Sequence, residues 1–265
     1  MIYKNDKERM ESWKVVSPTA KGFYEVISPA FSDCKELHIF RLNLPVGGYY
    51  TIESGLLEMN GVVISGSCAI CGSNLDDTLN KFDAFFLSAG QKLTVQATTP
   101  LILYIGAARG NADGFASVRH FDKTLPIADI HQIHGHGVGE REVMFTCEPA
   151  LPARSLICGL TWSREGTWTS WPPHQHEKDL EEAYCYFDMD PPKMGLHLSY
   201  LKSENRDELV AHTVQSGVMV LAPRGYHPTV SMPGGVNAYF WVMAALRPAS
   251  RRYDLAITDP TLVNT

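Results

Sequence analysis

Short runs of apolar, β-branched and aromatic residues recur along the whole chain, each cut off within a few positions by Gly, Pro, Asn or Asp. In the first half they lie at Glu36–Asn43, Gly61–Ser65, Ala84–Leu87 and Leu101–Ile105. In the second half they lie at Ser155–Trp162, Ala183–Phe187, Leu196–Leu201, Gly217–Ala222 and Asn237–Met243. Runs of this length and composition predict strands, and 21 Gly with 16 Pro supply the turns between them. No apolar spacing of three and four persists long enough to predict a long amphipathic helix. The expected class is all-β, of the sandwich, jelly-roll or barrel kind.

Two echoes suggest a duplication. Gly48–Thr51 resembles Gly166–Thr169, and Leu87–Val95 resembles Leu221–Val230 with one residue inserted. They predict two copies of one β-domain, residues 1–134 and 135–265, the second enlarged around Asp188 to Asp207.

The candidate chemistry lies in the second copy. His174 and His176 sit at i and i+2 in Trp-Pro-Pro-His-Gln-His, and a strand turns both to one face. A carboxylate follows at Glu181 or Glu182, and a third imidazole, His227, comes after a turn in Ala-Pro-Arg-Gly-Tyr-His-Pro. Converging imidazoles with a carboxylate point to a divalent metal. Laid over this motif, the first copy has Leu56 and Glu58 at the His pair, Ile64 near Glu182 and Lys92 at His227. Such a set cannot hold a borderline metal ion, so a structural role is expected for that half.

Composition narrows the class. A net charge of −6 without a basic run argues against nucleic acid as partner. No stretch approaches the roughly 20 apolar residues of a membrane helix. The first residues, Met1–Arg9, lead into polar sequence without the apolar centre of a secretory signal, so a cytoplasmic enzyme is expected. Six scattered cysteines make no disulfide scaffold, and Cys68–Cys71 reads as part of a buried strand. His131, His134 and His136 fall in Gly-rich sequence between the copies and read as linker.

A Gly-started strand, His-x-His, a following Glu and a later His resemble the metal signature of the cupin jelly roll. Gly166–His176, Leu180–Phe187 and Val220–Pro228, with weaker support from Gly137–Val143, further resemble the 5-deoxy-glucuronate isomerases of inositol catabolism. The chain is similar, more distantly, to the 4-deoxy-5-hexosulose-uronate ketol-isomerases of pectin breakdown. The likeness is strong over residues 135–248 and diffuse before them. One departure is the short link Glu177–Glu181 between the His pair and the acid, which resembles the pectin-pathway relatives.

The resemblance implies a two-domain cupin, a duplicated jelly roll whose second copy binds the metal. It implies His174, His176, Glu182 and His227 as ligands, with Glu182 preferred to Glu181 because Ala-Tyr-Cys-Tyr-Phe follows it. Zn2+ is the first candidate, then Mn2+, Ni2+ or Fe2+. The implied reaction is aldose–ketose isomerisation of 5-deoxy-glucuronate to 5-dehydro-2-deoxy-gluconate by a homo-oligomer, with a small sugar acid as its ligand. Another uronate, a cupin dioxygenase or a non-catalytic sugar-binding cupin are the alternatives. Glu177, Glu181, Tyr184 and Tyr226 neighbour the ligands and are acid–base candidates. A uronate carboxylate calls for a planar two-point donor. Arg224 is the first choice for it, then Arg141 and Arg247.

Overall fold

A computed structural model describes residues 3–204 and 208–262; Asp207, one end of the expected insertion, lies outside them. Nearly all the regular structure is antiparallel sheet, in two pairs of sheets with one strand order. In the first half the central strands of the larger sheet run Ala84–Leu87, Leu57–Ser65, Leu101–Arg109, His38–Leu44. Those of the second run Val218–Ala222, Leu180–Tyr186, Ala238–Ala245, Leu156–Ser163. The smaller sheets match likewise. Tyr49–Glu53, Lys92–Ala97, Cys68–Gly72 and Leu75–Leu79 correspond to Trp168–Thr169, Thr229–Ser231, Gly195–Ser199 and Val210–Val214.

The two larger sheets pack back to back. Val62, Phe86 and Tyr104 meet Leu160, Phe240 and Val242 in one buried cluster. The approach is close: a Cβ on Gly106 would lie 2.5 Å from Val242 Cγ1, so only glycine fits there. Between the larger and smaller sheets of the first half lies an apolar cluster that includes Leu42, Ile70, Leu93 and Leu103.

Pairing registers superimpose the halves residue by residue. Glu58 faces Ala108 as Glu181 faces Ala244, which places Met59 at the position of Glu182 and Val63 at that of Tyr186. Val95 pairs with Tyr50 and Ile70 as Thr229 pairs with Thr169 and His197, so Leu93 corresponds to His227. The overlay expected from sequence, with Glu58 at His176 and Lys92 at His227, is therefore displaced. Lys92 points to solvent and pairs with Glu53 at 2.8 Å. The first half also crosses directly from Glu53 to Leu57, with no counterpart of the short strand His174–Gln175.

Each half clasps the other. Glu58 accepts hydrogen bonds from the amides of Arg154, Ser155 and Leu156 at 2.7–2.8 Å. Glu181 accepts from those of Lys35, Glu36 and Leu37 at 2.7–3.2 Å. Burial raises both carboxyl pKa values, although the amides pull them down.

Strand pairing crosses the expected boundary at residue 134. Lys14–Val16 pairs with Val218–Val220, and His131–His134 with Arg141–Met144, so both strands belong to the sheet of the second half. His131 and His134 thus lie in a strand, where the sequence suggested linker. A short helix, Asp6–Glu11, is capped by the Asn5 side chain, which accepts from the Glu8 amide. Cys68 is buried and Cys71 exposed, so that pair is split across the strand's two faces. Among the described residues no helix is long and apolar enough to cross a membrane.

Glu58→Ala should lower unfolding free energy in urea melts by roughly 1–3 kcal/mol for each amide left without an acceptor. Leu56→Ala, at a side chain 75% exposed, should stay within about 0.5 kcal/mol of wild type.

Candidate metal centre

Three imidazoles converge at one end of the second half's barrel. One ring nitrogen from each of His174, His176 and His227 lies within 4.8 Å of the others. The ring centroids stand 5.0 Å apart for His174 and His227, and 5.1 Å for His176 and His227. Every Nδ1 is spoken for by main chain. His174 donates to Pro172 O at 3.0 Å, His176 to Leu180 O at 3.0 Å, and His227 to Gly225 O at 2.9 Å. A carbonyl can only accept, so each Nδ1 carries the hydrogen and each Nε2 is left to turn a lone pair inward. Anchoring of this kind is how proteins orient imidazole ligands. His227 Nε2 is buried and has no hydrogen-bond partner in the protein.

Glu182 stands beside two of the three rings. Its Oε2 lies 2.9 Å from His176 Nε2 and 3.2 Å from His227 Nε2, with the side chain buried. Two ligands sharing an ion at about 2.1 Å are spaced by about 3 Å. Burial raises the Glu182 pKa, but the adjacent His176 and His227 rings outweigh it, and the carboxyl ends well below its usual range. Burial, then the charges of His227 and His176, push His174 down to about 3, so this imidazole stays neutral. The donor set of three imidazoles and one carboxylate fits a divalent ion of zinc-like softness.

The centre opens on a cavity of about 160 Å³, walled by His174, His176, Trp171, Tyr253, Thr258 and others. An adjoining chamber of about 30 Å³ is lined by Ser170, Tyr184 and Tyr239 together with His174 and Glu182. Part of the roof comes from the C-terminal segment, whose strand Ile257–Thr258 pairs with His174–Gln175.

Only one of the four acid–base candidates reaches this space. Tyr184 lines the chamber, its hydroxyl 2.6 Å from Ser170 Oγ, and burial pushes its phenol well above the usual range. Glu181 turns to the opposite face of its strand and holds the Lys35–Leu37 amides. Glu177 accepts from the Gly225 amide at 3.2 Å and so braces the turn before His227. Tyr226 stacks on Tyr200 with centroids 5.0 Å apart.

The arginines divide in the same way. Arg224 lies in a separate cleft, 3.6 Å from Asp6 Oδ1 and 4.0 Å from Asp33 Oδ2. Arg247 is 67% exposed and bonds Asp179 at 2.6 Å. Arg141 lines both the cavity and the chamber.

Sequence reasoning missed His134, Tyr253 and Thr258 in the cavity wall, and His197 inside the barrel. His197 had a signal: in Leu196-His-Leu-Ser199 it alternates with leucines, which puts it on the inward face with Ser199. Its Nδ1 bonds the Tyr186 hydroxyl at 2.8 Å. The other three come from segments without any periodic pattern.

Comparison with known proteins identifies relatives of the chain. A protein named 5-deoxy-glucuronate isomerase from Shouchella clausii is 29% identical over 219 residues, covering 75% of this chain and 77% of that protein. One of the same name from Geobacillus kaustophilus is 35% identical over 120 residues, covering 43% of each chain. Among solved structures, an IolB-like protein from Salmonella typhimurium superimposes with a TM-score of 0.76 at 21% identity, over 88% of this chain and 92% of that one. A point mutant of oxalate decarboxylase from Bacillus subtilis shares the fold with a TM-score of 0.59 at 12% identity, over 88% and 76%. The KduI/IolB family matches residues 15–262, and the chain belongs to that family.

Proposed function

We propose that this chain is a metal-dependent aldose–ketose isomerase that converts 5-deoxy-glucuronate to 5-dehydro-2-deoxy-gluconate. The observation that carries the reading is the joining of two features in one place. Three imidazoles anchored through Nδ1 converge beside Glu182, and His174 and Glu182 line a chamber shared with the hydroxyl-bearing Ser170, Tyr184 and Tyr239. The names of the relatives from Shouchella clausii and Geobacillus kaustophilus support the substrate.

His174, His176, Glu182 and His227 would hold the ion, with Zn2+ as the first choice for this donor set. When bound, it supplies Lewis acidity towards the carbonyl and adjacent hydroxyl of an open-chain sugar. The chain's own groups do the rest. Tyr184 keeps its proton at neutral pH and presents it beside Ser170 to a sugar oxygen. Ser170 and Tyr239 offer further hydrogen bonds to the polyol. Trp171 and Tyr253 limit the access of water to the reacting carbons. The first half, residues 1–134 as an approximate unit, is a scaffold. Its barrel interior is closed by apolar side chains where the second has its ligands.

Metal-replete protein incubated with 5-deoxy-glucuronate should show loss of the aldehyde signal and growth of a ketone signal by NMR. Absence of conversion with every uronate tried would refute the reading. Elemental analysis should find one ion per chain. Glu182→Gln should strip it, whereas Glu181→Gln should keep it and lose thermal stability, because the two side chains face opposite ways. Tyr184→Phe should retain the ion while kcat falls by about 10²–10⁴-fold.

A further inference from the structure

We propose that Arg141 grips the carboxylate of an acidic open-chain sugar through its Nε–Nη2 edge, with the sugar's reacting end at the histidine cluster. This rests on the isomerase reading for the placement of the reacting end.

Position singles out Arg141: it lines both the cavity and the chamber beside His174, whereas Arg41, Arg109, Arg154 and Arg251, which also have no ion pair among the described residues, line neither. Arg9, Arg119, Arg164, Arg247 and Arg252 are each committed to an Asp or Glu of the same chain. Arg141 has no carboxylate within 4.0 Å among the described residues, although it stands partly buried in a cavity wall. Its Nη1 is used twice, donating to Gly139 O at 3.1 Å and Trp171 O at 3.0 Å. That leaves Nε and Nη2, the edge whose parallel N–H groups match a carboxylate's two oxygens.

The surroundings favour an anion brought in from outside. Val143, Trp171, Met243 and Tyr253 are the apolar and aromatic neighbours in these walls, so the charge lies in a medium that screens it poorly. His134 stands directly across the strand pair from Arg141. Burial and then the Arg141 charge lower its pKa, so it adds no second cation to blur the choice of site.

Position completes the argument. Arg141 and His174 are common to the cavity and the chamber, so one small molecule can touch both. The bond to Trp171 O ties the guanidinium to the loop that leads into His174. The distance from anion grip to metal ligands is thereby held by main chain.

The test is calorimetric, on the full chain loaded with zinc, comparing D-glucuronate with D-glucuronamide, which replaces the charged group by a neutral amide. Wild type should bind glucuronate at least about tenfold more tightly. Arg141→Gln should abolish the preference and Arg141→Lys should reduce it, with zinc content and melting temperature recorded for both. Arg224→Lys and Arg247→Lys should keep it. No preference in wild type, or a preference that survives Arg141→Gln, overturns the proposal. So does its loss in Arg224→Lys or Arg247→Lys, which decides the matter even if the Arg141 variants fail to fold. Preference lost in Arg141→Gln, in a protein that does not isomerise 5-deoxy-glucuronate, would keep the anion grip and remove the assigned reaction. Turnover with the preference intact in that variant would do the reverse.

Discussion

Two buried carboxylates, exchanged between the halves, set the frame on which the site depends. Glu58 takes three consecutive amides from the second half and Glu181 takes three from the first. Each carboxylate satisfies main-chain donors at the entry to a central strand of the opposite sheet. An unsatisfied buried donor is costly, so the two sheets cannot slide without breaking several bonds at once. The clasp also orients the chemistry. With Glu181 fixed to the interface, strand alternation turns the next residue, Glu182, into the barrel and onto His176 and His227.

The same architecture has been filled in two ways. Where the second half places Glu182, His197, His227, Thr229 and Tyr239, the pairing registers put Met59, Ile70, Leu93, Val95 and Leu103 in the first. Gly61 stands at the position of Tyr184, and the Phe85 ring lies over it, so close that a Cβ there would meet it at 2.2 Å. One barrel therefore gains packing and the other carries buried polar atoms that must be satisfied by neighbours. Several of those atoms, including His197 Nε2 and Ser199 Oγ, have no protein partner.

Much of this was legible in the chain. The strand runs Glu36–Asn43, Ala84–Leu87, Ser155–Trp162 and Asn237–Met243 fall on observed strands, because alternation and turn residues are local signals. The three histidines that meet were the ones their spacing singled out. What was not legible depends on contacts between distant segments. The overlay of the halves slipped by a residue at Lys92 because the echo matched Val95 to Val230, whereas hydrogen-bond register matches it to Thr229. Arg224 looked nearest to a ligand in sequence, yet its turn faces Asp6 and Asp33. Arg141 reaches the cavity because its strand lies beside Leu156–Ser163, a neighbour that no periodicity announces.

The strand Lys14–Val16, at one edge of the larger sheet of the second half, also bears on the order of assembly. Its partner, Val218–Val220, lies at the far end of the chain. During synthesis that early segment must wait, unpaired, until almost everything else has been made. The first half has nearly all its own strand partners and an apolar cluster, so it can condense beforehand. The larger sheet of the second half cannot gain this edge pairing until Val218–Val220 is present, and the contact carries the loop-closure entropy of about two hundred intervening residues.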